Sequence, residues 1–455
     1  MRAFPLMAAL AITPVFSPTA AQAADEAELR ALREQINQMQ AQYEQRIQAL
    51  EAKLLQTPPN HSVHPADLQQ ANAGQTGGGN FNPNVSLIVS GLYGNTSQNP
   101  ATRRLNGWRL PTDLAGELAP KRGFSLGESE LGFSANVDHL FSGQLRLAFD
   151  ADNQVATEEA FIQTTALPQG LTLKAGRWYS GIGYLNEQHA HEWDFVDNPL
   201  AYQVFLGRQF KNDGVQVRWL APTDTYLELG AEIGRGSQYP GTDRNKNGAG
   251  ASAVFAHMGG DVGASHSWRA GLSMLAAAPR DRLWNEWDAS GAELTHRFSG
   301  TSRLLVADGV WKWAPNGNAS ATSFTLQGEY LRRTEKGDVA YDIASASASP
   351  TLSHLSSIQS GWYVQGVYQF APAWRVGLRT DRLNVGQPTT GINTSHLLQT
   401  QGNPTKNSVM LDFRASEFSK VRLQLARDRS QSGPADTQVF LQYQMSLGAH
   451  GAHRF

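Results

Sequence analysis

The sequence contains no cysteine and, after its first residues, no long hydrophobic run. A chain without cysteine suits an oxidising compartment such as the periplasm, where a stray thiol would be a hazard during export. The mean hydropathy is -0.39, and the missing hydrophobic runs exclude a protein that crosses a membrane with helices. The formal net charge of -2 argues against nucleic-acid binding, which needs a basic footprint.

The sequence also lacks the signature of a hydrolase. No serine lies in an elbow-type nucleophile motif, and no pattern pairs His257, His266 or His296 with such a serine. We therefore expect that the protein is not an enzyme.

The N-terminus has the three-part layout of a secretory signal. Arg2 precedes an apolar segment at residues 4–16, and Ala21 and Ala23 supply the small side chains that come before a cleavage site. The sequence predicts a signal peptide at residues 1–23, because the apolar segment is too short to anchor the chain in a membrane.

A helix is predicted directly after the signal, at residues 24–56. Residues 25–55 contain neither glycine nor proline, which favours helix. Their apolar residues recur at steps of three and four with one additional step of four, which is typical of a coiled coil with a stutter. So narrow an apolar seam favours pairing with copies of the same helix, and packing against the rest of the chain is the alternative. Residues 57–83, with Pro58-Pro59 and Gly77-Gly78-Gly79, are predicted to form a flexible linker.

From Val85 onward, apolar and polar residues alternate in short segments. Val85, Leu87 and Val89 begin this pattern, which is typical of strands with one apolar and one polar face. Tight turns alternate with longer inserts, as in outer-membrane barrels. We predict an all-β fold for residues 84–455, a transmembrane antiparallel β-barrel of about 16 strands, with about 18 as the alternative. A soluble β-sandwich would not need a signal, aromatic residues beside the turns and a terminal aromatic together.

The longer inserts are predicted to be outer loops. They occupy residues 95–123, 180–212, 236–248, 276–301, 334–357 and 386–405. The alternation of turns and loops holds only if residues 289–298 belong to a loop rather than to a strand. An even number of strands then leaves both ends of the barrel, and the coiled coil with them, in the periplasm.

The two faces of the predicted strands differ in charge. The apolar parity, for example Val409, Leu411 and Phe413, should face lipid, where a charge costs about 2 to 4 kcal/mol at mid-membrane. The other parity should line an aqueous lumen. Its predicted charged residues include Arg146, Arg218, Glu228, Glu232, Arg375, Arg379 and Arg422. Opposed clusters of such charges orient polar solutes, whereas salt bridges among them would only hold the wall together.

The insert that begins at Ser180 is the densest in ionisable residues. It follows the fifth predicted strand, and in 16-stranded porins the third loop folds into the barrel and forms the constriction. The predicted constriction residues are Glu187, Glu192, Asp194 and Asp197. Because imidazole and carboxylate ligands suit zinc, a metal site formed by His189 and His191 with these acids is the alternative.

Two further segments are candidate ion sites. His450 and His453 could place both imidazoles on one side of a turn, although two ligands alone make a poor zinc site. The segment from Asp243 to Gly248 places oxygen ligands at alternate positions, like the start of a calcium loop. Val254 stands where the bidentate acid of such a loop belongs, so we expect a polar outer loop there rather than calcium.

The last stretch, residues 438–455, alternates like a strand and stops at Phe455. It resembles the closing strand of bacterial outer-membrane barrels, whose assembly machinery reads such an end. We expect this strand to pair with residues 85–93 and to close the barrel.

The signal, coiled coil, linker and barrel together resemble the trimeric porins that carry an N-terminal periplasmic coiled coil. Residues 122–131, 181–197 and 445–455 are also similar to a proteobacterial outer-membrane family often labelled zinc-regulated or TonB-dependent receptors. The first resemblance implies a homotrimer, joined through coiled coil and barrel walls, in the outer membrane of a Gram-negative bacterium. Such a protein passes small hydrophilic solutes or ions passively. The second resemblance implies metal-linked uptake, and tethering of the envelope by the periplasmic helix is a third role.

Overall fold

The computed structural model describes residues 83–105, 107–287, 290–346, 351–391, 402–431 and 433–448. The predicted signal peptide and coiled coil lie outside the described residues, as do residues 57–82 of the predicted linker. His450, His453 and Phe455 also lie outside them. Among the described residues, no helix has the length and hydropathy of a membrane span.

In the part of the chain that the structure describes, one closed antiparallel sheet of 16 strands contains almost all of the secondary structure, and three of the strands consist of two segments each. The strands are β1 (Asn84–Thr96), β2 (Gly123–Leu126 and Ser129–Asn136), β3 (Phe141–Phe149), β4 (Val155–Thr164), β5 (Leu171–Tyr179), β6 (Lys211–Leu220), β7 (Tyr226–Gly234), β8 (Ala251–Val262), β9 (His266–Ala277 and Arg282–Trp287), β10 (Glu293–Trp313), β11 (Ser323–Tyr341), β12 (Thr351–Ala371), β13 (Trp374–Asn384 and Thr389–Thr390), β14 (Thr405–Ser416), β15 (Ser419–Asp428) and β16 (Asp436–Gly448). The α-helices within residues 83–448, as far as these are described, are α1 (Thr112–Glu117) and α2 (Leu200–Leu206), and 3-10 turns occur there at Pro100–Thr102, Pro168–Gly170, Ala190–Glu192 and Pro315–Gly317.

The first and the last strand close the barrel. β1 pairs with β16 in antiparallel register, with Leu87 opposite Leu447 and Tyr93 opposite Leu441. The predicted pairing of residues 85–93 with the final strand is therefore confirmed.

The predicted orientation of the strands is also confirmed. Leu378 is 65% exposed on the outer surface, whereas the next residue, Arg379, is 3% exposed inside the barrel. Tyr226, Phe370 and Trp374 lie exposed beside the short turns, where an aromatic girdle of a membrane barrel belongs. Along each strand, the apolar set of alternate residues therefore faces outward and the charged set faces the interior.

Two of the predicted loops are largely strand. Arg282 pairs with Phe298, so that residues 293–298 form the outer end of β10 and not a loop. Tyr341 pairs with Thr351, which extends β11 and β12 through most of residues 334–357. The prediction was wrong here because polar residues interrupt the outer faces of these strand ends, while their inner faces bury an apolar cluster. The cluster consists of Trp284, Phe298, Val339 and Leu355.

The barrel interior also contains a packed apolar core, which the sequence did not predict. Trp108 and Leu110, from the connection between β1 and β2, pack there with the whole of α2. Inward residues of the wall such as Leu304 and Leu331 complete the core. The two connections therefore occupy space that the wall side chains alone cannot fill in a barrel of this size.

Candidate functional site

The connection between β5 and β6, residues 180–210, folds into the barrel, as predicted for the third outer connection. We call it the inner loop. All residues of α2 within it are buried, and so are Trp193 and Phe195. The inner loop contacts the wall on several strands, among them β7, β11, β13 and β15.

Local sequence explains the shape of the inner loop. The Asn186 side chain donates hydrogen bonds to the carbonyl oxygens of Ser180 (2.7 Å) and Phe210 (2.8 Å) and accepts one from the Phe210 amide (2.7 Å), which holds both ends of the loop together. Gly183 has a φ of 69°, and a Cβ there would lie 2.8 Å from the Tyr202 hydroxyl oxygen. Glycine is therefore needed at that close approach.

Glu329, on β11, is the main buried acceptor for the inner loop. Its carboxylate accepts hydrogen bonds from the backbone amides of Tyr184 (3.1 Å) and Leu185 (3.0 Å). It also accepts from the hydroxyl groups of Tyr202 (2.8 Å) and Tyr363 (2.7 Å). Charge-assisted bonds of this kind are roughly twice as strong as neutral ones, so Glu329 fixes the first half of the loop.

Asp197 anchors the second half of the inner loop. Its carboxylate lies 2.9 Å from Arg379 Nη2 and 2.6 Å from Lys406 Nζ, and it accepts a hydrogen bond from Gln424 Nε2 at 2.8 Å. Burial alone would raise the pKa of Asp197, but Lys406 and Arg379 outweigh it and hold that pKa well below its usual value. Asp197 is therefore charged throughout the physiological range.

Two more acids of the loop form ion pairs with predicted lumen arginines. Asp194 Oδ1 accepts a hydrogen bond from Arg375 Nη1 at 2.8 Å. Glu187 pairs with Arg218. Three of the four predicted constriction acids, Glu187, Asp194 and Asp197, thus face the wall, and basic residues of the barrel compensate their charges.

The remaining lumen residues form a network within the wall. Arg422 pairs with Asp412 (2.7 Å) and Arg218 with Glu228 (3.4 Å). Glu232 accepts a hydrogen bond from the Gly181 amide of the inner loop at 2.9 Å. These predicted residues therefore share two tasks, since they hold the wall together and support the loop.

His189 and His191 lie on the opposite side of the inner loop, against β2 and β4. His189 Nδ1 lies 3.0 Å from both Glu130 Oε2 and Glu158 Oε2, and its Nε2 lies 3.1 Å from Glu159 Oε2. His191 Nδ1 lies 3.4 Å from Glu130 Oε2. All five residues are buried. We call them the histidine cluster.

The carboxylates around the histidines are not those expected from the sequence. Glu187, Asp194 and Asp197 pair with basic residues elsewhere, and Glu192 accepts a hydrogen bond from the His189 backbone amide (3.1 Å) as part of a capping box. The prediction paired the histidines with neighbours in sequence, whereas acids from distant strands surround them.

A β-bulge explains why Glu158 and Glu159 were missed. The register between β3 and β4 shifts so that Arg146 is opposite Glu159 while Leu147 is opposite Thr157. The extra residue lets two consecutive glutamates face the interior, which strict alternation forbids. The pair Glu158-Glu159 within an otherwise alternating strand was the available signal.

Burial alone would lower the pKa of His189, but hydrogen bonds to Glu130, Glu158 and Glu159 outweigh it and raise that pKa well above its usual value. The pKa of His191 is lowered, mainly by burial. The two stacked imidazoles, 5.7 Å apart, therefore differ in charge at neutral pH.

The candidate calcium segment is an exposed turn. Asp243 Oδ1 accepts hydrogen bonds from Arg235 Nη2 (2.6 Å) and from the Asn245 amide (3.1 Å). An arginine thus takes the position that a cation would need beside this carboxylate.

The Asp197 anchor is expected to withstand acid. A carboxyl group whose pKa falls on folding contributes its full stabilisation at any pH above its ordinary pKa of 3.8. This contribution is lost only as the pH drops through the lower pKa of the folded state. We expect hydrogen-exchange protection of the inner loop, corrected for intrinsic rates, to stay constant between about pH 8 and about pH 4. Asp197→Asn should reduce this protection about 10-fold or more at neutral pH. Wild-type protection that falls steadily below about pH 6 would contradict the assignment.

The closed sheet, the apolar exterior and the charged interior crossed by a loop define a transmembrane β-barrel of the porin type. The chain belongs to the same family as an uncharacterized protein of Aquifex aeolicus (strain VF5), with 31% identity over 406 residues that cover 82% of this chain and 80% of that protein. No protein-family model matches the chain.

Several solved outer-membrane proteins follow a similar chain path. The outer membrane channel DcaP of Acinetobacter baumannii has a TM-score of 0.48 at 11% identity, over 80% of this chain and 97% of that chain. OmpT of Vibrio cholerae has a TM-score of 0.47 at 8% identity, with the same coverage of 80% and 97%. OmpF of Salmonella typhi has a TM-score of 0.46 at 11% identity, again over 80% and 97%. At these identities and scores the similarity carries no information about function.

Proposed function

We propose that the protein is an outer-membrane channel for passive transport of small hydrophilic solutes or ions. The supporting observation is the contrast between an apolar exterior and an interior wall that carries charges of both signs. Arg269, which pairs with Asp308 at 3.5 Å, and Lys312 are half-buried, and Arg414 is exposed. A wall of this kind is stable only against water, because each charge would be costly in lipid.

Acidic wall residues concentrate in one sector and basic residues in another, although Arg146 lies among the acids and Asp412 among the basic residues. Glu128, Glu130, Glu158 and Glu159 belong to β2 and β4, or to the short break within β2. The basic residues Arg375, Arg414, Lys420 and Arg422 belong to β13, β14 and β15. Sectors of opposite sign produce a field across the lumen that orients small polar solutes, whereas a ring of one sign would select ions.

Planar bilayer recording tests the channel. Protein purified in detergent and added to one side should give discrete, uniform conductance steps. The matched control is heat-denatured protein from the same preparation. If the folded protein inserts, as shown by protection of the barrel from protease, yet gives no steps, the proposal fails.

We also propose that the protein forms a homotrimer in the outer membrane, through the predicted coiled coil and the barrel walls. Native mass spectrometry should show three chains in the full mature protein. A variant without residues 25–55 is expected to dissociate at lower detergent or protein concentrations. Equally stable trimers in that variant would leave the helix as a tether to the envelope, and monomers in the full protein would refute the trimer.

A second candidate function, metal-linked uptake, is favoured by the histidine cluster. In this role the barrel would respond to a metal ion bound at the loop. No part of the described chain between residues 83 and 448 forms a separate plug of the kind that TonB-dependent receptors carry, because its connections belong to the barrel strands. We therefore rank metal-linked uptake below passive transport.

A further inference from the structure

We propose that Glu130, Glu158 and His189 bind a divalent transition-metal cation such as Zn²⁺, where the inner loop meets the barrel wall. Glu130 Oε2 and Glu158 Oε2 both lie 3.0 Å from His189 Nδ1. One ligand atom from each of the three residues lies within 4.8 Å of the others. Zinc bonds of about 2.0 to 2.1 Å in a tetrahedron place ligand atoms roughly 3.3 Å apart. His189 Nδ1 is therefore already close to that spacing from both carboxylate oxygens.

Each of the three ligands has a second polar atom that bonds to another residue. The atoms proposed to bind the ion, Glu130 Oε2, Glu158 Oε2 and His189 Nδ1, therefore point towards one another. Glu130 Oε1 pairs with Arg146, and Glu158 Oε1 accepts a hydrogen bond from the Tyr179 hydroxyl at 2.6 Å. His189 Nε2 lies 3.1 Å from Glu159 Oε2. Metal sites use such partners to fix the ring and the carboxylates in the orientation that binding requires.

His191 is a candidate for the fourth ligand. His191 Nδ1 lies 3.4 Å from Glu130 Oε2, about the spacing of neighbouring ligands in a tetrahedral zinc site. The carbonyl oxygen of His191 accepts hydrogen bonds from Lys420 Nζ (2.8 Å) on β15 and Gln444 Nε2 (3.1 Å) on β16, so that its backbone is fixed to the wall beside β1 and β2. A small rotation of the His191 side chain would complete four-coordination.

The chemistry of these side chains selects the class of ion. Imidazole nitrogen with carboxylate oxygen suits zinc and its transition-metal neighbours, whereas Mg²⁺ and Ca²⁺ prefer oxygen ligands alone. Binding would place a dication among the carboxylates of Glu130, Glu158 and Glu159. The ion would also join β2 and β4 to the inner loop, which ties loop position to metal occupancy.

Calorimetry on protein without a polyhistidine tag tests the site. After removal of metals with a chelator, the wild type in detergent should bind about one Zn²⁺ per chain and should bind Mg²⁺ and Ca²⁺ far more weakly. Glu158→Gln, which keeps the shape of the side chain, should lower the zinc affinity by about 100-fold or more, and Glu159→Gln by about 10- to 100-fold. In thermal unfolding, Zn²⁺ should raise the midpoint of the wild type but not of Glu158→Gln.

Two controls separate this site from other histidines. His257, which lies 3.1 Å from Glu228 on the far wall, is a matched buried histidine, and His257→Ala should keep the zinc affinity. A His450→Ala/His453→Ala variant should also keep it. Equal zinc affinity in the wild type and in folded Glu158→Gln, or binding that disappears only with the two C-terminal histidines, would overturn the proposal. None of these outcomes depends on channel activity, so the metal site and the channel can fail independently.

Discussion

Shortening the inner loop is expected to raise the single-channel conductance several-fold. The loop crosses the interior of a 16-stranded barrel, and barrels of this size leave an aqueous channel when no loop fills them. The two ends of the loop already meet, because the Ser180 amide donates a hydrogen bond to the Phe210 carbonyl oxygen at 3.0 Å. A short glycine-serine turn can therefore replace residues 181–209 without opening the sheet.

The wall should survive this replacement because the barrel's own ladder remains complete. β5 and β6 pair directly along their length, with Tyr179 opposite Lys211 and Leu171 opposite Trp219. The apolar wall residues that α2 covers, among them Leu304 and Leu331, would be exposed to water. This exposure lowers the stability of the barrel but leaves every strand paired. Planar bilayer recordings of both proteins under the same salt measure the change.

A matched deletion controls for the loss of an outer loop as such. Residues 243–248 form an exposed turn far from the inner loop in sequence, and their removal should leave the conductance unchanged within about twofold. If shortening of the inner loop leaves the conductance of the inserted barrel unchanged as well, then the loop does not form the constriction.

Glu329→Ala is expected to cost about 4 kcal/mol of unfolding free energy, with frequent conductance fluctuations in the protein that still inserts. The change removes one buried acceptor and leaves four donors without it, namely two backbone amides and two tyrosine hydroxyls. Each buried donor without a partner costs about 1 to 3 kcal/mol. Three of the four belong to the inner loop, so the loop should loosen before the barrel unfolds.

Denaturant titration of refolded protein in lipid vesicles measures this loss, and bilayer recordings measure the fluctuations. Glu329→Gln keeps one carbonyl acceptor and should cost about half as much. Asp243→Ala breaks an exposed pair with Arg235 and should leave the unfolding free energy nearly unchanged. A loss for Glu329→Ala no larger than that of Asp243→Ala would show that Glu329 does not anchor the loop.

The barrel could be predicted from the sequence because its determinants are local. Alternation assigns Leu411 to the outside and Asp412 to the inside, and the structure places them at 38% and 0% exposure. The alternation of short and long connections then gave the strand number. The same local reasoning failed at residues 276–301 and 334–357. The strands continue there beyond the apolar outer band, so their sequence no longer alternates between apolar and polar residues.

The candidate site could be predicted only in part, since its partners are distant in sequence. The dense insert after β5 identified the loop and its ionisable residues. The acids beside His189 come from β2 and β4, and Glu158 faces inward only because of a bulge. α2 is seven residues long, and it is helical mainly because the wall packs around it, so its own pattern gives little indication of a helix.

The contacts of the inner loop also impose an order on assembly of the barrel. The Val196 amide donates a hydrogen bond to Gln424, which is 228 residues further along the chain. Asp197 bonds to the same side chain, and the His191 carbonyl oxygen to Gln444 on the last strand. Contacts of such long sequence separation form only after the intervening chain is in place. These contacts of the inner loop are therefore complete only once β15 and β16 have joined the sheet, so the final form of the barrel interior depends on closure of the barrel.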